Sequence, residues 1–186
     1  MALNDEDLIN DCCKGERKAQ QLLYDKYSGQ MYAVALRYSK MQQEAEDVIQ
    51  EAFLKVFANI KNFRKDSSLV YWIKRIVINT SLNHQRSKLY LYPMVDVADL
   101  KNKYTDEISL SGFGYEELLA MIRKLPSGCQ VIFNLYAIEG YKHHEIADLL
   151  NISDGTSKSQ YARAKSLLKD WILENNKISY ERSGEY

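Results

Sequence analysis

Apolar residues in this chain recur at steps of three and four, not two. Between residues 16 and 40, Leu22, Leu23, Tyr27, Met31, Val34, Ala35 and Tyr38 keep that spacing. It is the spacing that lines one face of a helix turning every ~3.6 residues. Gln43 to Ile60 repeats it with Ala45, Val48, Ile49, Ala52, Phe53, Val56 and Phe57. Leu69 to Ser87 repeats it with Leu69, Trp72, Ile73, Ile76 and Val77. Val, Ile and Thr nowhere gather in alternating runs, so strands are not expected. Two prolines and eight glycines in 186 residues leave room for long helices. The expected fold class is all-α.

A short helix is expected over residues 5–14, carrying Leu8, Ile9 and Cys12. NFRKDSS, residues 62–68, has no period and reads as a loop, with Ser67 or Ser68 placed to cap the next helix. The pattern fades from Tyr90 to Gly114. So long a stretch without a period inside one compact domain is unusual, and it reads as a flexible linker between two small helical domains. The expected division is a first domain over 1–89, a linker over 90–114, a second domain over 115–174 and a frayed tail over 175–186. Within the second domain, Pro126 ends a helix begun at Tyr115, and Ser127 starts another that stops near Gly140. His143 to Leu150 and Gly155 to Leu173 follow, separated by a turn at Asn151–Asp154.

Two short helices joined by so few residues have the form of a helix-turn-helix, whose second helix enters the major groove of DNA N-terminus first. From Asp154 to Lys169 there are four cations, Lys158, Arg163, Lys165 and Lys169, against one acid. A basic helix face alone is most often a solvated one; joined to this turn it points to DNA. Ser157, Lys158, Ser159, Gln160 and Arg163 are the candidate phosphate and base contacts.

The chain as a whole carries no formal net charge, which argues against a nucleic-acid partner until the charge is mapped. Gln42 to Glu51 holds four acids and no base, and Ser67 to Tyr90 holds four cations and no acid. Opposite fields on consecutive helices suggest opposite partners, a basic protein surface and a nucleic-acid backbone, although either charge run alone reads more simply as a solvated helix face. Phe63, Tyr71 and Trp72 flank the 62–68 loop beside Arg64 and Lys65, a setting in which unstacked bases are held. Trp72 itself reads mainly as core.

Other chemistry finds little support. His144-Glu145-Ile146-Ala147 begins like a zinc-protease motif, but Asp148 stands where the second imidazole must be, so no metal is expected. No phosphate-binding loop, nucleophile elbow or nucleophile–base pair is present, so neither an enzyme nor a cofactor is expected. Cys12, Cys13 and Cys129 lack ligand spacing and read as free thiols in a reducing cytoplasm. The acidic N-terminus does not read as a signal peptide, and no apolar run reaches the ~20 residues of a membrane helix.

In order along the chain, AEDVIQEAFLKVFANIKNFR, LVYWIKRIVINTSLNHQR and LPSGCQVIFNLYAIEGYKHHEIADLLNISDGTSKSQYARAKSLL resemble the extracytoplasmic-function, or group IV, sigma factors of bacterial RNA polymerase. The resemblance covers about residues 5–170. It implies that the first block is sigma region two, with Asp47, Gln50 and Glu51 docking on the β′ clamp helices of core polymerase. It implies that Asn62, Phe63, Arg64, Lys65, Lys74, Arg75, Asn79, Asn83 and Arg86 recognise and melt the −10 promoter element. The second block would be region four, reading the −35 element near the β-flap through Thr156, Ser157, Lys158, Ser159, Gln160, Arg163 and Lys165. An anti-sigma partner is implied by the family alone. The competing reading is a free-standing helix-turn-helix regulator, although the first half lacks the βα alternation of a typical receiver domain.

Overall fold

The structure is a computed structural model that describes residues 5–89 and 114–183, with side chains described through Gln85 and from Gly114 through Glu174. It forms two compact units, Met1–Lys88 and Leu89–Tyr186. Among the described residues every regular element is helical. The stretch 90–113 expected as a linker lies outside the described residues, as does the side chain of Arg86.

The first unit contains α1 (Asp5–Cys13), α2 (Arg17–Tyr38), α3 (Gln42–Asn59) and α4 (Leu69–Leu89). Three acids in the first turn of α1 face the positive end of the helix dipole, and Gly15 at φ 82° lets the chain leave the helix for α2. Leu8, Ile9 and Cys12 seat α1 on the bundle. The periodic residues of α2 and α3 form the core, with Leu23, Met31, Ala35, Ala45, Ala52 and Val56 fully buried. Leu22 departs from the expected pattern and is 48% exposed. A 3-10 turn, Ile60–Asn62, closes α3 by burying Ile60. Ser68 then starts α4: its Oγ accepts from the Tyr71 N–H at 3.4 Å and its carbonyl from the Trp72 N–H at 3.1 Å.

The second unit contains α5 (Tyr115–Lys124), α6 (Ser127–Phe133), α7 (His143–Leu150) and α8 (Asp154–Ser183). A π turn, Asn134–Ile138, extends α6 until Gly140 at φ 80° reverses the chain. Glu145 caps α7 by accepting the Lys142 N–H at 2.7 Å, and Asn151, left-handed at φ 56°, ends it. Ser153 Oγ accepts the Thr156 N–H at 2.9 Å and starts α8. Met121, Leu125, Cys129, Ala164, Leu168 and Ile172 make the core. Helix α8 runs on through residues 175–183, over the stretch expected as a tail. No glycine or proline interrupts that stretch.

Candidate functional site

In the first unit the acidic helix α3 presents Gln43, Asp47, Gln50 and Leu54 as one exposed stripe at three- and four-residue steps. Leu54 is 70% exposed and Met41, just before the helix, 63%. Exposed apolar groups among acids and amides suit a protein partner with cations and apolar stems. Glu51 is placed differently from Asp47 and Gln50. Its two oxygens lie 2.6 Å from Lys55 Nζ and 2.6 Å from His84 Nε2. The Lys55 hydrogen bond, then that of His84, holds the carboxyl below the usual range.

Between α3 and α4 lies an open groove of about 400 Å³. Asn62, Asn79 and Asn83, expected from the sequence, come together in its lining. Lys55, Asn59 and Thr80 also line it, although no sequence signal marks them, with Lys55 Nζ donating to Thr80 Oγ1 at 3.3 Å. Trp72 and Ile76 supply its apolar wall. Trp72 is thus half-buried rather than core, and Phe63 packs on it with ring centroids 5.3 Å apart. Amides beside an indole offer both hydrogen-bonding edges and a stacking face to an unpaired base. Arg64 and Arg75 are exposed, Lys74 is half-buried, and Lys65 sits at the loop tip at φ 61° with Nζ 2.7 Å from Glu6.

In the second unit the buried stripe of α8 runs through Ser157, Gln160, Ala164, Leu168 and Ile172. Two of the side chains expected on DNA lie on it. Ser157 is fully buried and shares a 2.9 Å hydrogen bond with His143 Nδ1. Gln160 is 4% exposed and accepts from Cys129 Sγ at 3.0 Å. Periodicity traced through apolar residues alone assigns such polar side chains to the surface, whereas here they complete the inward stripe. Thr156 is also buried, its hydroxyl 2.8 Å from that of Ser153. Lys158 remains exposed, 2.5 Å from Asp154. Ser159, Arg163 and Lys165 are half-buried, with Lys165 Nζ 5.0 Å from the centre of the Tyr161 ring.

His143 stacks on Tyr136 with centroids 4.2 Å apart. Burial pushes its pKa below the ordinary 6.5. Among the described residues, no three His, Cys, Asp or Glu side chains converge on a metal position. No described helix is long and apolar enough to cross a membrane.

The groove and the helix-turn-helix coincide with two family models. Residues 23–89 match sigma-70 region 2, and residues 115–168 match sigma-70 region 4. The chain is 30% identical to the RNA polymerase sigma-H factor of Pseudomonas aeruginosa, over 88% of this chain and 91% of that one. This chain belongs to the extracytoplasmic-function sigma factors of the sigma-70 family. It is 26% identical to the ECF RNA polymerase sigma-E factor of Haemophilus influenzae, over 91% of this chain and 96% of that one. A solved structure of the sigma factor RpoE in complex with the anti-sigma factor NepR from Bartonella quintana shares the fold, with a TM-score of 0.52. It covers 82% of this chain and 96% of that one at 18% identity. The free-standing regulator therefore gives way to a sigma factor whose region two is α2 to α4 and whose region four is α5 to the middle of α8.

Proposed function

We propose that this sigma factor binds core RNA polymerase through the exposed stripe of α3 and directs transcription from promoters bearing −10 and −35 elements. One observation carries the reading. Helix α3 turns Asp47, Gln50 and Leu54 outward while Lys55 and Asn59 form one wall of the groove. Docking α3 on the β′ clamp helices therefore fixes the groove relative to the polymerase. A non-template base that unstacks at the −10 element enters beside Trp72 and meets the amides of Asn62, Asn79 and Asn83. Arg64, Arg75 and Arg86 hold the backbone. In region four, Lys158, Arg163 and Lys165 supply the cations for −35 phosphates near the β-flap, and Ser159 stands on the same helix. Ser157 and Gln160 position that helix from inside.

The chain acts as a non-catalytic factor, and bond formation belongs to the polymerase. An anti-sigma protein is the expected negative partner, covering the surfaces that polymerase uses. The test is open-complex formation. Holoenzyme reconstituted from sigma-free bacterial core should make −10 thymines reactive to permanganate, and Trp72→Ala or Asn79→Ala should abolish this without releasing the factor from core. Reactivity unchanged in both variants would contradict the placement of the groove.

A further inference from the structure

Lys65 stands at the tip of the loop assigned to the −10 strand, yet its charge is already engaged. Its Nζ lies 2.7 Å from Oε1 of Glu6, across 59 residues of sequence. Glu6 belongs to the acidic first turn of α1, and α1 packs against the 3-10 turn that precedes the loop. Helix α1 is firmly seated. Its Leu8, Ile9 and Cys12 are buried, and Asp5 accepts from Lys26 Nζ at 2.6 Å and from the Tyr27 hydroxyl at 3.0 Å. The Glu6 carboxylate is therefore presented to the loop by an anchored helix. Lys65 itself holds φ 61°, a conformation that a side chain with a Cβ keeps only where its surroundings hold it.

We propose that Glu6 is an intramolecular counter-ion that occupies Lys65 and that promoter DNA must displace. A phosphate reaching Lys65 faces two costs: the ion pair is broken, and a carboxylate is left beside the phosphate. Both costs apply to any nucleic-acid backbone. Only a strand that also fills the groove beside Trp72 offsets them, so Glu6 suppresses indiscriminate backbone binding. Release of the pair also frees the strained loop tip to follow the strand. The inference rests on the proposed role of this loop in −10 recognition.

The experiment is a double-mutant cycle with Glu6→Gln and Lys65→Ala. Full-length chain in holoenzyme is titrated onto a forked fragment carrying a promoter mapped by transcript 5′ ends, over a range of salt. Glu6→Gln should tighten binding roughly two- to five-fold, the range an exposed ion pair supports. Lys65→Ala should cost more affinity, and flatten the salt slope more, in the Glu6→Gln background than in the wild type, by up to about 0.7 in slope. Unchanged melting temperatures exclude a folding effect. Equal losses from Lys65→Ala in both backgrounds, with Glu6→Gln neutral, would overturn the proposal and leave the loop on DNA. If Lys65→Ala, Arg64→Ala and Asn79→Ala are all silent, the assignment of the loop itself fails, and this proposal with it.

Discussion

The carboxylate of Glu51 lies 2.6 Å from Nε2 of His84, 33 residues further along the chain. Its second oxygen is held by Lys55, which also reaches Thr80. One side chain thus ties helix α3, which carries the exposed stripe, to the groove-forming helix α4. Because Lys55, and then His84, lowers the Glu51 pKa from 4.5, the stabilisation is present above about pH 4.5 and is lost as pH falls through the folded value. The pair is partly exposed, so Glu51→Gln should cost no more than about 1 kcal/mol at pH 7. Thermal melts should show a difference of a few degrees that shrinks below about pH 4.5.

Core binding should follow the exposed stripe instead. Asp47→Lys and Leu54→Ser should each weaken affinity for core polymerase by roughly tenfold, the effect of about 1.4 kcal/mol. Glu51→Gln should weaken it less than either. Fluorescence anisotropy of labelled factor titrated with core measures this, and an Asp47→Lys affinity equal to wild type contradicts the docking face.

How far the fold is legible in the sequence follows from these residues. Helices α2 and α3 bury most of the apolar positions that the three- and four-residue spacing marks, because packing there follows hydrophobicity; Leu22 in α2 and Trp72 and Ile76 in α4 stay partly exposed. The groove is different. Lys55 and Thr80 meet across 25 residues, and Glu6 and Lys65 across 59, and no local pattern reports such pairings. Asn62, Asn79 and Asn83 are visible beforehand through resemblance, and Trp72 as an aromatic beside the loop. In α8, the burial of Ser157 and Gln160 is not legible from polarity, because hydrogen bonds to His143 and Cys129 satisfy them inside the core. The last turns of α8, up to Ser183, have the polar composition of a frayed tail, although no residue in them breaks a helix.

The proposed −35 contacts divide along the same line. Lys158→Ala with Arg163→Ala should reduce promoter affinity and lower the salt-dependence slope by about 1.8, or about 0.9 for each phosphate no longer neutralised. Gln160→Ala should leave that slope unchanged and destabilise region four by about 1–3 kcal/mol, the cost of disrupting a buried polar pair. Salt titrations and thermal melts of the three proteins separate the two classes.

Region four should weaken in mild acid. Burial lowers the His143 pKa from 6.5, so the unfolded chain binds the proton more readily than the folded one. Stability is therefore highest above pH 6.5 and declines as pH falls from there toward the folded value. Replacing His143 with Gln should flatten this decline in melts monitored between about pH 7.5 and 5, at some cost in stability at neutral pH from the lost stack on Tyr136. An undiminished decline would place the titrating group elsewhere.

Run-off transcription is the decisive measurement of sigma function. The purified chain is mixed with sigma-free core polymerase from a related bacterium on fragmented genomic DNA, and the RNA 5′ ends are sequenced. Discrete starts are expected that share two upstream elements, vanish without the chain and are lost with Trp72→Ala. Starts that are no different with and without the chain, from a protein that also fails to bind core, would contradict promoter-directed initiation by this factor.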